Sequence, residues 1–559
     1  MATCRSLSEM PDIFSKCLAL NKNTESTDRI SCSTQLPTIC SNSVMRRVLL
    51  FGDNSRQVKM NTSVGQIQGW HDPNAFRFLG IPYAEAPVGD LRFAAPVPKA
   101  PFTSTYDATV FGHICPQTPK SRGVAAQVLA WLETTATEDE DCLNLNVYTP
   151  SLRGDGQESL PVMLYLHGGG FSDSLVIFEP GNLVSRGGVV VVTINYRLGM
   201  LGWFENVNSW VRSSIPGNQA FRDQILALQW VQKNIASFGG DPNRVTVFGQ
   251  SASATNICAL LSAPSTFGLY QRVISESDTI DIPFKTPQDA AKINDYHLTL
   301  WAATVKADQL ALNDDIWTTF GLVERPVIDG ELIMDDFSVL VKEGRYNTNA
   351  SIIWGTVKDE AGFYVLIYYR EPVPIARAAL KLELVFDKNR TAVILASDLF
   401  PLPANDSDAF RVSFTQFGTD YYWLCPLQYF SRQMTMYKPI YVYRFSRGRD
   451  MPLTVFGSGA AVPGFSQTGC DACYARQVID RFTTFVKTGN PNPQHGPFSG
   501  VANDNSDVTE VEWLPYNDSD VMLDMNAKSE LVHNLRAASC QWIEQGLKSD
   551  FMFRVPKHV

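Results

Sequence analysis

The chain has 559 residues, of which 45% are apolar, 11% aromatic and 19% charged. That is too much apolar and aromatic matter for a disordered chain, and neither a collagen period nor charged heptads run through it. A formal net charge of −10, from 47 basic against 57 acidic residues, opposes nucleic acid or an anionic membrane as a partner, and no block of basic residues reverses this locally.

Residues 1–57 read as a leader or disordered segment. Cys4, Cys17, Cys32 and Cys40 are scattered there among polar residues, without the apolar stretch of about 7–15 residues that marks a signal peptide. Residues 58–559 read as one domain, and no run in them approaches the ~20 apolar residues of a membrane-spanning helix. Sequons at Asn61, Asn349, Asn389, Asn405 and Asn517 point to a secreted glycoprotein, while the lack of an apolar leader points inward, so the compartment stays open.

Pro161-Val-Met-Leu-Tyr-Leu166 is predicted as a buried strand running into glycines, and Val189-Val-Val-Val-Thr-Ile194 as a second. Apolar residues at Ile225, Leu226, Leu228, Val231 and Ile235 predict a helix over 223–238. Gly239-Gly240-Asp-Pro stops it, Arg244-Val-Thr-Val-Phe248 is a third strand, and residues 252–261 form the next helix. Strands alternating with helices predict an α/β fold, a mostly parallel sheet covered on both faces.

Two motifs carry chemistry. The third strand ends in Gly249-Gln250-Ser251-Ala252-Ser253 and leads straight into a helix, the context of a nucleophile elbow with a serine Oγ exposed on a cramped turn. Ser253 stands where the last glycine of the usual pattern would be. The helix start above it offers backbone N–H groups where an oxyanion would form. His167-Gly168-Gly169-Gly170-Phe171 follows the first strand, and successive glycines let the backbone approach a ligand and turn its N–H groups into a pocket. The lone Cys470-Asp-Ala-Cys473 pair reads as incidental thiols.

With these motifs the sequence resembles the carboxylesterase/cholinesterase (type B carboxylesterase–lipase) family of the α/β-hydrolase fold, from about Val58 to about Phe551. Its landmarks are Phe78-Leu-Gly-Ile-Pro-Tyr-Ala-Glu85, Glu140-Asp-Cys-Leu-Asn-Leu-Asn-Val147, Asn195-Tyr-Arg-Leu-Gly199, Gly217-Asn218, Asp223-Gln224, Phe238-Gly-Gly-Asp-Pro242, Pro326-Val-Ile-Asp-Gly330 and Thr488-Gly-Asn-Pro-Asn492. The resemblance implies a mixed, mostly parallel central sheet with helices on both faces, and serine-based hydrolysis of a small-molecule or lipid ester. It implies no metal or organic cofactor. Ser251 matches the nucleophile, Gly169, Gly170 and Ala252 the oxyanion hole, and Glu360, in Lys358-Asp359-Glu360, the acid that orients a histidine. Cys115 and Cys142 match a family disulfide, and Arg92 and Glu140 an ion pair beside it.

One part of the pattern breaks. Where the family carries its histidine loop, this chain reads Arg447-Gly448-Arg449-Asp450-Met451-Pro452, and arginine cannot serve as a base. His495, His533, His297 and His558 are weak substitutes. Three accounts stay open: an esterase whose histidine segment is missing from this version of the sequence, an enzyme with a displaced base, or a catalytically silent binding or adhesion module.

Overall fold

Val190–Ile194 is apolar at every position but one, and a strand apolar on both faces fits only a sheet covered on both sides. In the computed structural model it lies inside such a sheet. The structure describes residues 17–21, 26–30, 56–72, 75–117, 137–152, 158–174, 178, 180–205, 215–280, 282–294, 324–368, 379–380, 382–383, 386, 388–400, 409–446, 469–493, 511–526 and 528–546.

The strands are β1 (Cys17–Asn21), β2 (Ser26–Ile30), β3 (Gln57–Thr62), β4 (Gly65–His71), β5 (Phe76–Pro82), β6 (Tyr106–Asp107), β7 (Asn144–Thr149), β8 (Leu160–Leu166), β9 (Val190–Ile194), β10 (Gly240–Gln250), β11 (Arg272–Glu276), β12 (Ser351–Val357), β13 (Ile440–Phe445), β14 (Met522–Met525) and β15 (Glu530–Val532). β1 and β2 pair with each other as an antiparallel hairpin. The remaining strands form one sheet in the order β15-β14-β13-β12-β11-β10-β8-β9-β7-β5-β4-β3, with β6 beside β4. From β9 through β8 to β14 every neighbouring pair is parallel. Beyond that stretch the β3–β4, β4–β5, β5–β7, β7–β9 and β14–β15 pairs run antiparallel.

The helices are α1 (Gly181–Gly187), α2 (Gly199–Trp203), α3 (Gln219–Asn234), α4 (Ala252–Ser262), α5 (Phe337–Lys342), α6 (Glu360–Tyr368), α7 (Lys388–Leu395), α8 (Ala409–Thr419), α9 (Cys425–Met434), α10 (Gly469–Thr488) and α11 (Ala537–Gly546). Alternate strand residues face opposite ways. Val162, Leu164, Val192 and Val247 therefore pack with Phe221, Leu228 and Val231 of α3 and Ile257 and Leu260 of α4. Met163, Val191, Phe248, Ile274 and Tyr443 point the other way, into a core with Val478, Phe482 and Phe485 of α10. A third core joins Ala361 and Val365 of α6 to Phe414, Phe417, Tyr421 and Trp423.

Between α8 and α9 the backbone makes a π-turn over Asp420–Leu424. Pro426 follows in the first turn of α9 and cannot donate to the carbonyl four residues back, which loosens the ladder there. Among the described residues two disulfides are formed, Cys115–Cys142 as the resemblance implies, and Cys425–Cys540, which the sequence did not single out. Among the described residues no helix is long and apolar enough to cross a membrane.

Candidate active site

β10 lies between β8 and β11 in the parallel part of the sheet, so its carboxyl end opens between two neighbouring strand ends, where α/β sheets gather ligands. Ser251 is the single residue between β10 and α4, with φ 63° and ψ −124°. A non-glycine residue in this region is strained and persists only when its surroundings hold it there. Three bonds do so. Ser251 N–H donates to the Glu276 carbonyl on β11 at 2.9 Å, and its own carbonyl accepts from Ala254 N at 2.8 Å and Thr255 N at 3.3 Å. Ser251 is half-buried, and among the described residues its Oγ has no hydrogen-bond partner.

Ser253, the departure from the usual small-residue pattern, has a local reason. It is fully buried, and its Oγ donates to the Gln250 carbonyl at 2.8 Å, which satisfies an acceptor at the inside of the turn. A Cβ added at Gly249 would lie 2.8 Å from Ser253 Cβ and 2.9 Å from the Leu166 carbonyl.

The glycine loop leaves β8 directly alongside. A Cβ on Gly168 would lie 2.5 Å from the Gln250 carbonyl and 3.4 Å from Ser251 Cβ, so the loop presses on the elbow and only glycine fits. Gly169 and Gly170 follow with φ of 120° and 61°. Behind them Phe171 is held by Gly199 N–H on its carbonyl at 2.9 Å, and its ring meets Trp203 edge-on at 5.4 Å.

Glu360 opens α6 just past the end of β12. It is 8% exposed, and its Oε1 accepts from Thr356 Oγ1 at 2.7 Å and Val357 N at 2.9 Å. The side chain is thereby tied back to the strand end. A cavity of about 560 Å³ opens beside it, walled by Lys358, Asp359, Arg411, Arg444 and Arg536 among others.

Arg447 and the rest of residues 447–468 lie outside the described residues, as do His297, His495 and His558. The side chains of Cys470 and Cys473 are also outside them. The other histidines are occupied elsewhere. His71 stacks on Phe76 at 4.1 Å, and His113 meets Thr137 Oγ1 at 2.8 Å. His167 stacks on Tyr196 at 4.2 Å, and burial pushes its imidazole down to about 4. His533 is exposed beyond the end of β15, 3.2 Å from Ser519 Oγ. None of these four bonds to Ser251. Among the described residues no group of His, Cys, Asp and Glu is arranged to hold a metal ion.

Sequence reasoning missed Glu276. It is 2% exposed and ends β11, the elbow's partner strand, in register with Gln250. Burial pushes its carboxyl up to about 8. No local motif announces it, because only the β10–β11 register brings it to the elbow.

A parallel-centred sheet, a strained serine at a strand-to-helix turn and a glycine loop against it define an α/β-hydrolase. The Carboxylesterase family model matches residues 55–543, and the chain belongs to that family. It is 28% identical over 468 residues to para-nitrobenzyl esterase of Bacillus subtilis (strain 168), covering 78% of this chain and 91% of that one. It is 27% identical over 511 residues to pyrethroid hydrolase Ces2e of Rattus norvegicus, covering 83% and 88%. To acylcarnitine hydrolase of Mus musculus it is 28% identical over 508 residues, covering 81% and 87%. A solved PNB esterase structure superposes with a TM-score of 0.68 at 26% identity, covering 86% of this chain and 99% of that one. Family and relatives support carboxylic ester hydrolysis as the activity.

Proposed function

We propose that the protein is a serine carboxylesterase acting through an acyl-enzyme at Ser251. The observation that carries this reading is the half-buried Ser251 at φ 63°, with the glycine loop pressed against it. Ser251 Oγ attacks the ester carbonyl, and the developing oxyanion is held by the N–H groups of Gly169, Gly170 and Ala252. The alcohol leaves, and water then cleaves the acyl-enzyme. Glu360, already tied to Thr356 and Val357, orients the base that takes the Ser251 proton. Residues 447–468, where the family carries its histidine, contain none in this chain, so the base is either a displaced group or part of a segment missing from this version of the sequence. Residues 58–559 make up one hydrolase domain, preceded by a leader or disordered segment over 1–57; the family match over 55–543 supports a single domain. The substrate is a small-molecule or lipid ester, and the chemistry needs no metal or organic cofactor.

Steady-state hydrolysis of a short-chain aryl ester tests this. Ser251→Ala lowers kcat by about 10⁴-fold or more, and equal rates for the two proteins would refute the reading.

A second reading rests on Arg447, which stands in the family's histidine loop. In it the chain is a catalytically silent binding module that keeps the hydrolase scaffold. Arg447→His discriminates: gained turnover supports the enzyme, and continued silence in a folded variant supports the scaffold.

A further inference from the structure

Behind the glycine loop lies a small cavity that ester hydrolysis does not use. Met200, Trp203, Lys285, Asn294, Glu324 and Arg325 line it, and its free volume of about 10 Å³ suits one water-sized occupant. Lys285 Nζ, Arg325 Nε and Trp203 Nε1 are all buried and, among the described residues, all without a hydrogen-bond acceptor. The residues are 8%, 3% and 3% exposed. Buried donors left unmet are costly, most of all on cations.

Neither cation forms an ion pair among the described residues. Arg325 donates through Nη1 to the Pro283 carbonyl at 3.3 Å, and its guanidinium lies 6.0 Å from the Phe171 ring centre. Glu324 also lines the cavity, but its Oε2 accepts from Ser172 Oγ at 3.4 Å. Glu324 is the one carboxylate in the lining, while Asp278 and Asp336 act on Arg325 from outside it, and the hole is too small for a phosphate or an organic acid. Burial, with Arg325 adding to it, pushes the Lys285 ammonium down to about 7, while Glu324 and Asp289 act in the opposite sense. A water offers two lone pairs and no charge. A monatomic anion can accept from all three donors at once.

We propose that this cavity binds a monatomic anion, chloride in physiological solution, held by Lys285, Arg325 and Trp203. The occupied site would stiffen the wall behind the glycine loop, because Arg325 and Trp203 both touch Phe171, the residue after Gly170.

The test uses the full-length protein in sodium bromide. Anomalous scattering should place a bromide within about 3.5 Å of Lys285 Nζ, hydrogen-bond reach for a large anion. Melting in about 0.2 M sodium chloride should exceed that in sodium gluconate of equal ionic strength by about 2 °C. Lys285→Met should abolish that increment. A cavity holding only water in bromide, or an increment unchanged in Lys285→Met, would overturn the proposal. The wild-type scattering experiment decides the matter alone should the variant not fold.

Discussion

Glu276 gives the residue scale its sharpest expectation. Its backbone carbonyl accepts the Ser251 N–H, and its side chain is sealed on the α10 face of the sheet, where Tyr165 and Tyr443 feel its charge. Desolvation raises its carboxyl to about 8, so from about pH 4.5 to 8 the folded chain holds a proton the unfolded chain releases. Stability contributed by this group is complete below the unfolded value and is lost as pH rises through the folded one, at about 1.4 kcal/mol per unit. Glu276→Gln should remove that slope, and denaturant unfolding at a series of pH values from 5 to 8 would reveal it. Parallel wild-type and variant curves would show that Glu276 does not titrate there. Glu360→Gln keeps the bond from Val357 N but loses the charge that steadies a cationic base. It should lower kcat by about 10³–10⁴-fold with KM nearly unchanged. Ser251 and the glycines were legible because a cramped turn admits few residue types. Glu276 and the Ser253 bond were not, since the first depends on strand register and the second on which way one hydroxyl turns.

At the scale of elements, the family landmarks prove to be one another's partners. Arg197 and Asp223 form a fully buried pair, Nη2–Oδ1 2.7 Å and Nε–Oδ2 2.8 Å, with Arg197 Nη1 also on the Arg92 and Ala94 carbonyls. Asn218 bonds to both the carbonyl and the N–H of Val327, which ties Gly217-Asn218 to Pro326-Val-Ile-Asp-Gly330. Arg92 meets Glu140 with two bonds, at 2.6 and 2.9 Å. Asp223→Ala would strand the Arg197 charge, and chemical denaturation should report a loss of about 3–5 kcal/mol. A loss under about 1 kcal/mol would mean that Arg197 finds other compensation. The predicted strands at 161–166, 189–194 and 244–248 match β8, β9 and the central part of β10, because a doubly covered strand is written in consecutive β-branched and apolar residues. The helix predicted over 223–238 begins four residues earlier, at Gln219. Its first turn joins the buried Ala220 and Phe221 to Gln219, whose Nε2 donates to the Phe93 and Phe204 carbonyls, and a polar residue at its start leaves too short an apolar stretch to read as a period. It also ends in a 3₁₀ turn, Ile235–Phe238, before Gly239 at φ 82°.

At the scale of the molecule, the two disulfides among the described residues fasten different layers. Cys115–Cys142 closes a local loop with a separation of 27 residues, whereas Cys425–Cys540 joins α9 to α11 across 115. In the chain-entropy model the longer closure contributes about 4–5 kcal/mol. Cys425→Ser with Cys540→Ser should therefore melt well below the parent, and a melting point unchanged within about 1 °C would show that packing alone holds α11. The first pairing was legible by resemblance, and the second was not, since residues so far apart share no local signature. The hydrolase reading of the entire molecule rests on a reactive hydroxyl at the elbow. Its most direct test is peptide mapping by mass spectrometry after exposure to an organophosphonate ester. The adduct should fall on Ser251 and vanish in Ser251→Ala, whereas a folded wild-type chain left unmodified at Ser251 would contradict it.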